Sequence, residues 1–198
     1  APDYPKVLSA PRAHIEKTLP YLDPHPDRQA VLSAMVRAHL LIGCRPHELC
    51  DMTADAIDRS EAEWLYRYVP HKNLHREGQG EPKEIWIGVQ AQEIIRPYLD
   101  AAGQAGRVWI LPKGGPKSKV SAVSRTWYAR YVARACALAG VPPWTPHQIR
   151  HTRATEVERV YECDEAVGAA IGDSPKVAAA VYVGPTSALA RRIARELG

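Results

Sequence analysis

The sequence predicts an α+β fold that is mainly α-helical, with a small antiparallel β-sheet near the middle of the chain. Residues 26–41 and 121–139 carry apolar side chains at helical spacing. Between them, the runs WLYRYV (64–69) and EIWIGV (84–89) are rich in aromatic and β-branched residues. A polar, glycine-containing stretch separates these two runs, which indicates two antiparallel strands joined by a hairpin loop.

Prolines and helical periodicity place the remaining elements. Pro46 suits the first position of a short helix, HELCDM, and Pro146 follows a PPWTP break and begins a helix that we expect to end near Tyr161. The same patterns predict helices over 90–102, 164–171, 175–182 and 187–197, and a short strand or extended link over 107–111.

Length and composition indicate one folded domain with an ordinary core. The chain has 198 residues, and 45% of them are hydrophobic, which suffices for one sizeable core or for a core plus a small lobe. No apolar run approaches the length that crosses a bilayer. The four cysteines form no CxxC pair, so we expect reduced thiols in a cytoplasmic protein.

Positive charge is concentrated in one part of the sequence. The net charge is only +4, but residues 101–155 contain no Asp or Glu and nine Lys or Arg residues. A long segment of one sign builds a positive field that attracts polyanions such as nucleic acid. The alternative is a solvated basic face whose acidic partners lie elsewhere in space.

The segment TPHQIRHTRAT (145–155) clusters cationic side chains on one side of a predicted helix, with His147, Arg150 and His151 at three- and four-residue spacing. Metal ligation is disfavoured, because zinc protease helices read HExxH and Gln148 replaces the glutamate that serves as base. A phosphate contact fits better, since the arginine fork matches two phosphate oxygens and a histidine adds a donor or a base. The third interpretation is a helix surface without a ligand.

Four motifs in order make residues 26–190 resemble the tyrosine recombinase (phage-type integrase) family. LIGCRPHELCDM (41–52) is similar to the family's first arginine motif, which implies Arg45 as a catalytic arginine with Glu48 in support. HKNLHREGQGEPKEIWIGVQAQEIIRPYL (71–99) is similar to its β-hairpin, with Lys72 at the position of the mobile catalytic lysine and Lys83 as the alternative.

The two remaining motifs lie nearer the end of the sequence. TPHQIRHTRAT resembles the second arginine motif and implies His147 and Arg150 as catalytic residues. IGDSPKVAAAVYV resembles the last motif and implies Tyr182, thirty-two residues after Arg150, as the nucleophile. Each motif alone is weak, whereas their order and spacing together are specific.

The resemblance implies the catalytic core fold of DNA breaking-rejoining enzymes and a complete reaction. Tyr182 attacks a backbone phosphate of duplex DNA and forms a 3′-phosphotyrosyl link, without metal or cofactor. Arg45 and Arg150 bind the non-bridging oxygens, while His147 accepts the tyrosine proton and Lys72 protonates the leaving 5′-oxygen. The resemblance also implies a tetramer on DNA and a cytoplasmic, nucleoid-associated protein of bacterial or phage origin.

Asp173 departs from the family pattern, which places His or Trp there to donate a hydrogen bond to the phosphate. An ionised carboxylate cannot donate that bond and repels the phosphate. If the protein is an active recombinase, two explanations are open. Asp173 points away from the phosphate and holds an arginine or the tyrosine loop, or it is protonated in the assembled site. The remaining alternative is a catalytically impaired, DNA-binding relative.

The resemblance also divides the chain. Residues 26–198 correspond to the catalytic domain, residues 1–25 are interpreted as the remnant of a linker, and the helical domain that closes the DNA clamp is absent from this sequence. Leu189, Ile193 and Leu197 form an apolar stripe at four-residue spacing. That stripe packs either on its own domain or on a neighbouring protomer.

Overall fold

The computed structural model describes residues 9–69, 82–103, 106–114, 119–162, 164–172 and 186–198. It confirms a mainly helical α+β fold with a small antiparallel sheet. No helix among these residues is long and apolar enough to span a bilayer. The elements are α1 (Arg12–Thr18), α2 (Pro26–Ile42), α3 (Pro46–Cys50), β1 (Ile57–Asp58), β2 (Trp64–Tyr68), β3 (Lys83–Ile87), α4 (Val89–Ala102), β4 (Ile110–Leu111), β5 (Ser121–Ala122), α5 (Arg125–Ala139), α6 (Pro146–Tyr161), α7 (Asp164–Ile171) and α8 (Thr186–Leu197).

The predicted strand pair is confirmed as the centre of a three-stranded antiparallel sheet with the order β1-β2-β3. Trp64 lies opposite Ile87 and Tyr68 opposite Lys83, so Lys83 stands at the end of β3 nearest the hairpin loop. Residues 70–81 of that loop, including Lys72, lie outside the described residues. A second, two-stranded sheet pairs β4 with β5.

The observed starts of two helices agree with the predictions from proline, and the start of a third helix differs from its prediction. α2 and α6 begin at Pro26 and Pro146, as the sequence predicts. The prediction of a helix from residue 121 is wrong, because residues 121–122 pair with β4 and the helix begins only at Arg125. Ser124 sets that start, since its hydroxyl accepts a hydrogen bond from the backbone N–H of Trp127 at 3.3 Å.

One main apolar core joins the helices to the sheet, and its largest fully buried side chains include Trp109, Tyr66 and Tyr128. The segment before residue 26 contributes to this core, because Ile15 and Leu22 are fully buried in it. A smaller cluster lies between α6, α7 and α8 and includes Val157, Ala166, Ala169 and Ile193.

Helix α8 packs on its own domain in this chain. Ile193 and Ala194 are buried, and Leu189 and Leu197 pack partly buried against the same small cluster. Arg191 and Arg195 form ion pairs with Glu63 at 2.9 and 2.6 Å. The apolar stripe therefore covers a surface of α7 and β3, the first of the two arrangements that the sequence left open.

The carboxylate of Glu63, which anchors α8, should make the stability of the fold depend on pH. Hydrogen bonds from Arg195 and then Arg191 lower the pKa of Glu63 from 4.5 to about 2. Because the folded pKa lies below the unfolded one, this stabilisation is complete above pH 4.5 and is lost as the pH falls towards 2. Arg195 is 61% exposed, so solvent screening reduces the effect to about 1–2 kcal/mol.

Glu63→Gln measures this contribution directly. We expect the variant to be less stable than wild type at pH 6 and the two unfolding free energies to converge towards pH 3 in urea titrations. Glu93→Gln, at an exposed position of α4, is the matched control and should follow wild type throughout. Parallel curves for Glu63→Gln and wild type would show that the carboxylate contributes nothing.

Candidate active site

Arg45 sits at the start of α3, on a tight turn that ends α2. Gly43 allows the turn because its φ of 69° is a conformation that favours glycine. The carboxylate of Glu48 accepts from the backbone N–H of Arg45 at 2.7 Å and from its guanidinium at 3.3 Å. Glu48 is only 1% exposed, whereas the Arg45 side chain is 38% exposed. A buried carboxylate thus orients an arginine whose far side faces solvent.

His39 supports this turn from the core. One ring nitrogen, Nε2, lies 2.9 Å from the carbonyl oxygen of Cys44, and Nδ1 lies 3.1 Å from the hydroxyl of Tyr128. Because a carbonyl only accepts, Nε2 carries the proton and Nδ1 accepts from Tyr128. Burial lowers the pKa of His39 to about 4, so the ring is neutral at pH 7. This role was not identified from the sequence, because His39 lies in a mostly apolar helix and belongs to none of the motifs.

Arg150 links the turn of the first motif to the end of α7. Its side chain is buried on α6, and its guanidinium donates to the carbonyl oxygen of Gly43 at 3.3 Å and to that of Ile171. Ile171 closes α7 and precedes the segment that carries Asp173 and Tyr182. Arg150 therefore holds two chain segments that lie far apart in the sequence.

Lys83 lies between the same two segments. Its ammonium donates to both carboxylate oxygens of Glu48 at 2.8 Å and to the Ile171 carbonyl oxygen at 3.4 Å. Burial lowers the pKa of Lys83, and the charge of Glu48 opposes that shift. Gly172 lies so close to this lysine that a side chain would not fit, since an added Cβ there would lie 2.5 Å from Lys83 Cε.

A basic groove opens beside Arg45 at the start of α6. It has a volume of about 750 Å³ and runs between α3, α5 and the start of α6, and no Asp or Glu among the described residues lines it. His147 is exposed there, and its ring meets that of His151 edge to face at 5.0 Å. The cationic or titratable side chains that line the groove are Arg45, His47, Arg125, Arg130 and His147.

The structure brings together part of the set that the sequence predicts. Arg45 contacts Glu48, Arg150 shares the Ile171 carbonyl oxygen with Lys83, and the positive charges of both arginines act on Lys83. His147 lines the same groove as Arg45. The other three predicted residues, Lys72, Asp173 and Tyr182, lie outside the described residues, and their roles stay predictions.

Solved structures of DNA recombinases share this arrangement of elements. The catalytic core of lambda integrase matches with a TM-score of 0.59 and 17% identity, over 85% of this chain and 95% of that chain. XerH site-specific recombinase bound to its difH substrate matches with a TM-score of 0.61 and 13% identity, over 89% of this chain. The chain has the tyrosine recombinase fold.

A third structure with the recombinase fold, the Tn1549 transposon integrase bound to transposon right end DNA, matches with a TM-score of 0.63 and 16% identity, over 96% of this chain. The chain spans 50% of the XerH chain and 65% of the Tn1549 chain. No protein-family profile and no curated protein sequence matches it. At identities this low, the likeness establishes the fold, and the chemistry must be argued from the residues.

Proposed function

We propose that this chain is the catalytic domain of a tyrosine-type site-specific recombinase that cuts and rejoins duplex DNA. The observation that carries the proposal is the placement of two arginines from separate elements around the buried Glu48–Lys83 pair. Arg45 contacts Glu48 and lines the basic groove, and Arg150 shares the Ile171 carbonyl oxygen with Lys83. Two arginine forks on rigid elements suit a phosphodiester that gains negative charge as it reacts. The shared fold with recombinases supports the same chemistry.

The reaction follows from the charge on the phosphate. The phenol oxygen of Tyr182 forms a bond to phosphorus while the bond from phosphorus to the 5′-oxygen breaks. His147 accepts the phenol proton, and Lys72 donates a proton to the leaving 5′-oxygen. Arg45 and Arg150 stabilise the five-coordinate transition state through the non-bridging oxygens. The 3′-phosphotyrosyl link conserves the bond energy, so a free 5′-hydroxyl reverses the step without ATP.

The proposed partners are duplex DNA and further copies of the same protein. The basic groove supplies sequence-independent attraction, so binding should weaken steeply with salt. XerH and the Tn1549 integrase were solved as DNA complexes, which supports the same ligand class here. Assembly into a tetramer on DNA and association with the nucleoid belong to this proposal.

Asp173 supports a second candidate, a DNA-binding relative with impaired cleavage. The family pattern needs a donor at that position, and an ionised carboxylate cannot be one. Under this alternative the groove and both arginines still bind phosphate, but the transition state lacks one hydrogen bond. Removing one such donor costs on the order of a hundredfold in rate.

Covalent trapping on a suicide duplex decides between the candidates. A binding site is first selected from a random duplex pool with the full-length protein, and nicks are then placed at successive positions across it. Without metal, we expect a protein–DNA adduct on a denaturing gel, mapped to Tyr182 by peptide analysis.

Two phenylalanine variants complete this experiment. Tyr182→Phe should bind the selected site as tightly as wild type and form no adduct. Tyr21→Phe replaces an exposed tyrosine near the start of the sequence and should react like wild type. Tight binding by wild type without any adduct would favour the impaired relative.

A further inference from the structure

The Glu48–Lys83 pair is an enclosed ion pair beside the candidate phosphate contacts. The Lys83 side chain is 17% exposed and that of Glu48 is 1% exposed. Desolvation offsets much of the attraction within a pair so shielded from water, but removal of one partner leaves the other as a costly uncompensated charge. The family pattern offers Lys83 only as the alternative to Lys72, whereas here Glu48 contacts both Lys83 and Arg45.

Lys83 also reaches the backbone at the end of α7. Its ammonium and the guanidinium of Arg150 share one acceptor, the carbonyl oxygen of Ile171. The last carbonyls of a helix have no partner within the helix, and cations near them are stabilising. Two cations from α6 and β3 therefore hold the point where the chain leaves α7 towards Asp173 and Tyr182.

We propose that Lys83 is a positioning residue of the recombination site: it ties Glu48, and through it Arg45, to the Ile171 carbonyl that Arg150 also holds. This inference rests on the proposed function. It gives Lys83 a role distinct from that of Lys72, the lysine proposed to protonate the leaving oxygen.

The directions of its hydrogen bonds favour positioning over proton donation. An ammonium has three N–H donors, and the contacts of Lys83 are two carboxylate oxygens and one carbonyl oxygen. Without Lys83, the buried carboxylate of Glu48 would draw the Arg45 guanidinium more strongly and away from a phosphate. A displacement of about 1 Å in a positioned group costs on the order of a hundredfold in rate.

Cleavage of two suicide duplexes tests this role in the full-length protein. One carries the normal 5′-oxygen at the cleaved bond, and the other carries a bridging sulfur, which leaves without protonation. We expect Lys83→Met to form adduct on the order of a hundredfold more slowly on both duplexes, with DNA affinity within about threefold of wild type. Lys83→Arg, which keeps the charge, should recover part of the rate.

Two variants calibrate the comparison. Lys72→Met should react slowly with the oxygen duplex and recover with the sulfur duplex, as loss of a proton donor requires. Lys17→Met, at an exposed position of α1, should behave like wild type. Recovery of Lys83→Met on the sulfur duplex would make Lys83 the proton donor and overturn the positioning role, as would an unchanged rate on the oxygen duplex.

Hydrogen–deuterium exchange measures whether Lys83 holds the two segments together, and it requires no DNA cleavage. In Lys83→Met, peptides that cover residues 41–50 and 164–172 should both exchange faster relative to a peptide from α4. Unchanged exchange in both peptides would overturn the proposal. If wild type forms no adduct at its selected site, the proposed function itself fails, and the exchange data still decide whether Lys83 holds the two segments.

Discussion

Arg150→Ala is expected to slow adduct formation on the suicide duplex by about a hundredfold to a thousandfold. The guanidinium is held by the carbonyl oxygens of Gly43 and Ile171, so it is preorganised before DNA binds. A preorganised cation stabilises the transition-state charge without reorganising at the moment of reaction. Single-turnover rates at saturating protein isolate this effect from DNA affinity, and Arg150→Lys should recover little because it lacks the fork.

Loss of a buried arginine also lowers stability, so the experiment needs a structural control. Arg153 lies one turn further along α6 with the same 4% exposure, and it donates to the carbonyl oxygen of Leu197 at 3.0 Å. Arg153→Ala should lower the unfolding free energy as Arg150→Ala does and change the cleavage rate by less than about tenfold. An Arg150→Ala rate within tenfold of wild type would place Arg150 away from the phosphate.

Local chemistry made several elements predictable. Pro26 and Pro146 begin α2 and α6 because a missing N–H costs nothing at a first helical turn. The aromatic run at 64–68 becomes β2, whose side chains are mostly buried. The order of the motifs singled out Arg45 and Arg150, and the structure places Arg150 against Gly43, two residues before Arg45, while their catalytic roles stay predictions.

Contacts between distant segments were not predictable. Lys83 and Ile171 are 88 residues apart, and no local pattern announces that they meet. β5 has two residues, too few to show the alternation that marks a strand, whereas its partner β4 lies within the predicted strand or link at 107–111. α1 escaped prediction although Ile15 lies in the main core, because seven residues give little helical periodicity.

Helix α6 holds the two helices that flank the segment with Tyr182. Arg150 donates to the carbonyl oxygen of Ile171 at the end of α7, and Arg153 donates to that of Leu197 at the end of α8. Both arginines thus satisfy carbonyls that have no partner within their own helix. The position of α8 and the candidate phosphate site consequently depend on neighbouring turns of one helix.

Gly88→Ala is expected to release α8 and to lower the unfolding free energy by about 1–3 kcal/mol. The φ of Gly88 is −76°, so alanine causes no backbone strain there. The cost is steric, because an added Cβ would overlap the carbonyl oxygen of Ala194 on α8. Displacement of α8 would also break the hydrogen bond from the Ala91 N–H to the Gly198 carbonyl oxygen, which is 2.9 Å long.

Gly168→Ala separates this contact from a general effect of replacing glycine. Gly168 lies within α7, and an added Cβ there meets nothing within 4 Å. Alanine should therefore raise the unfolding free energy by about 0.5–1 kcal/mol, since it is the better helix former. Urea titrations give both free energies, and limited trypsin digestion at Arg191 and Arg195 reports release of α8. If the Gly88→Ala protein were as stable and as resistant to trypsin as Gly168→Ala, the close packing of Gly88 against α8 would not hold that helix in place.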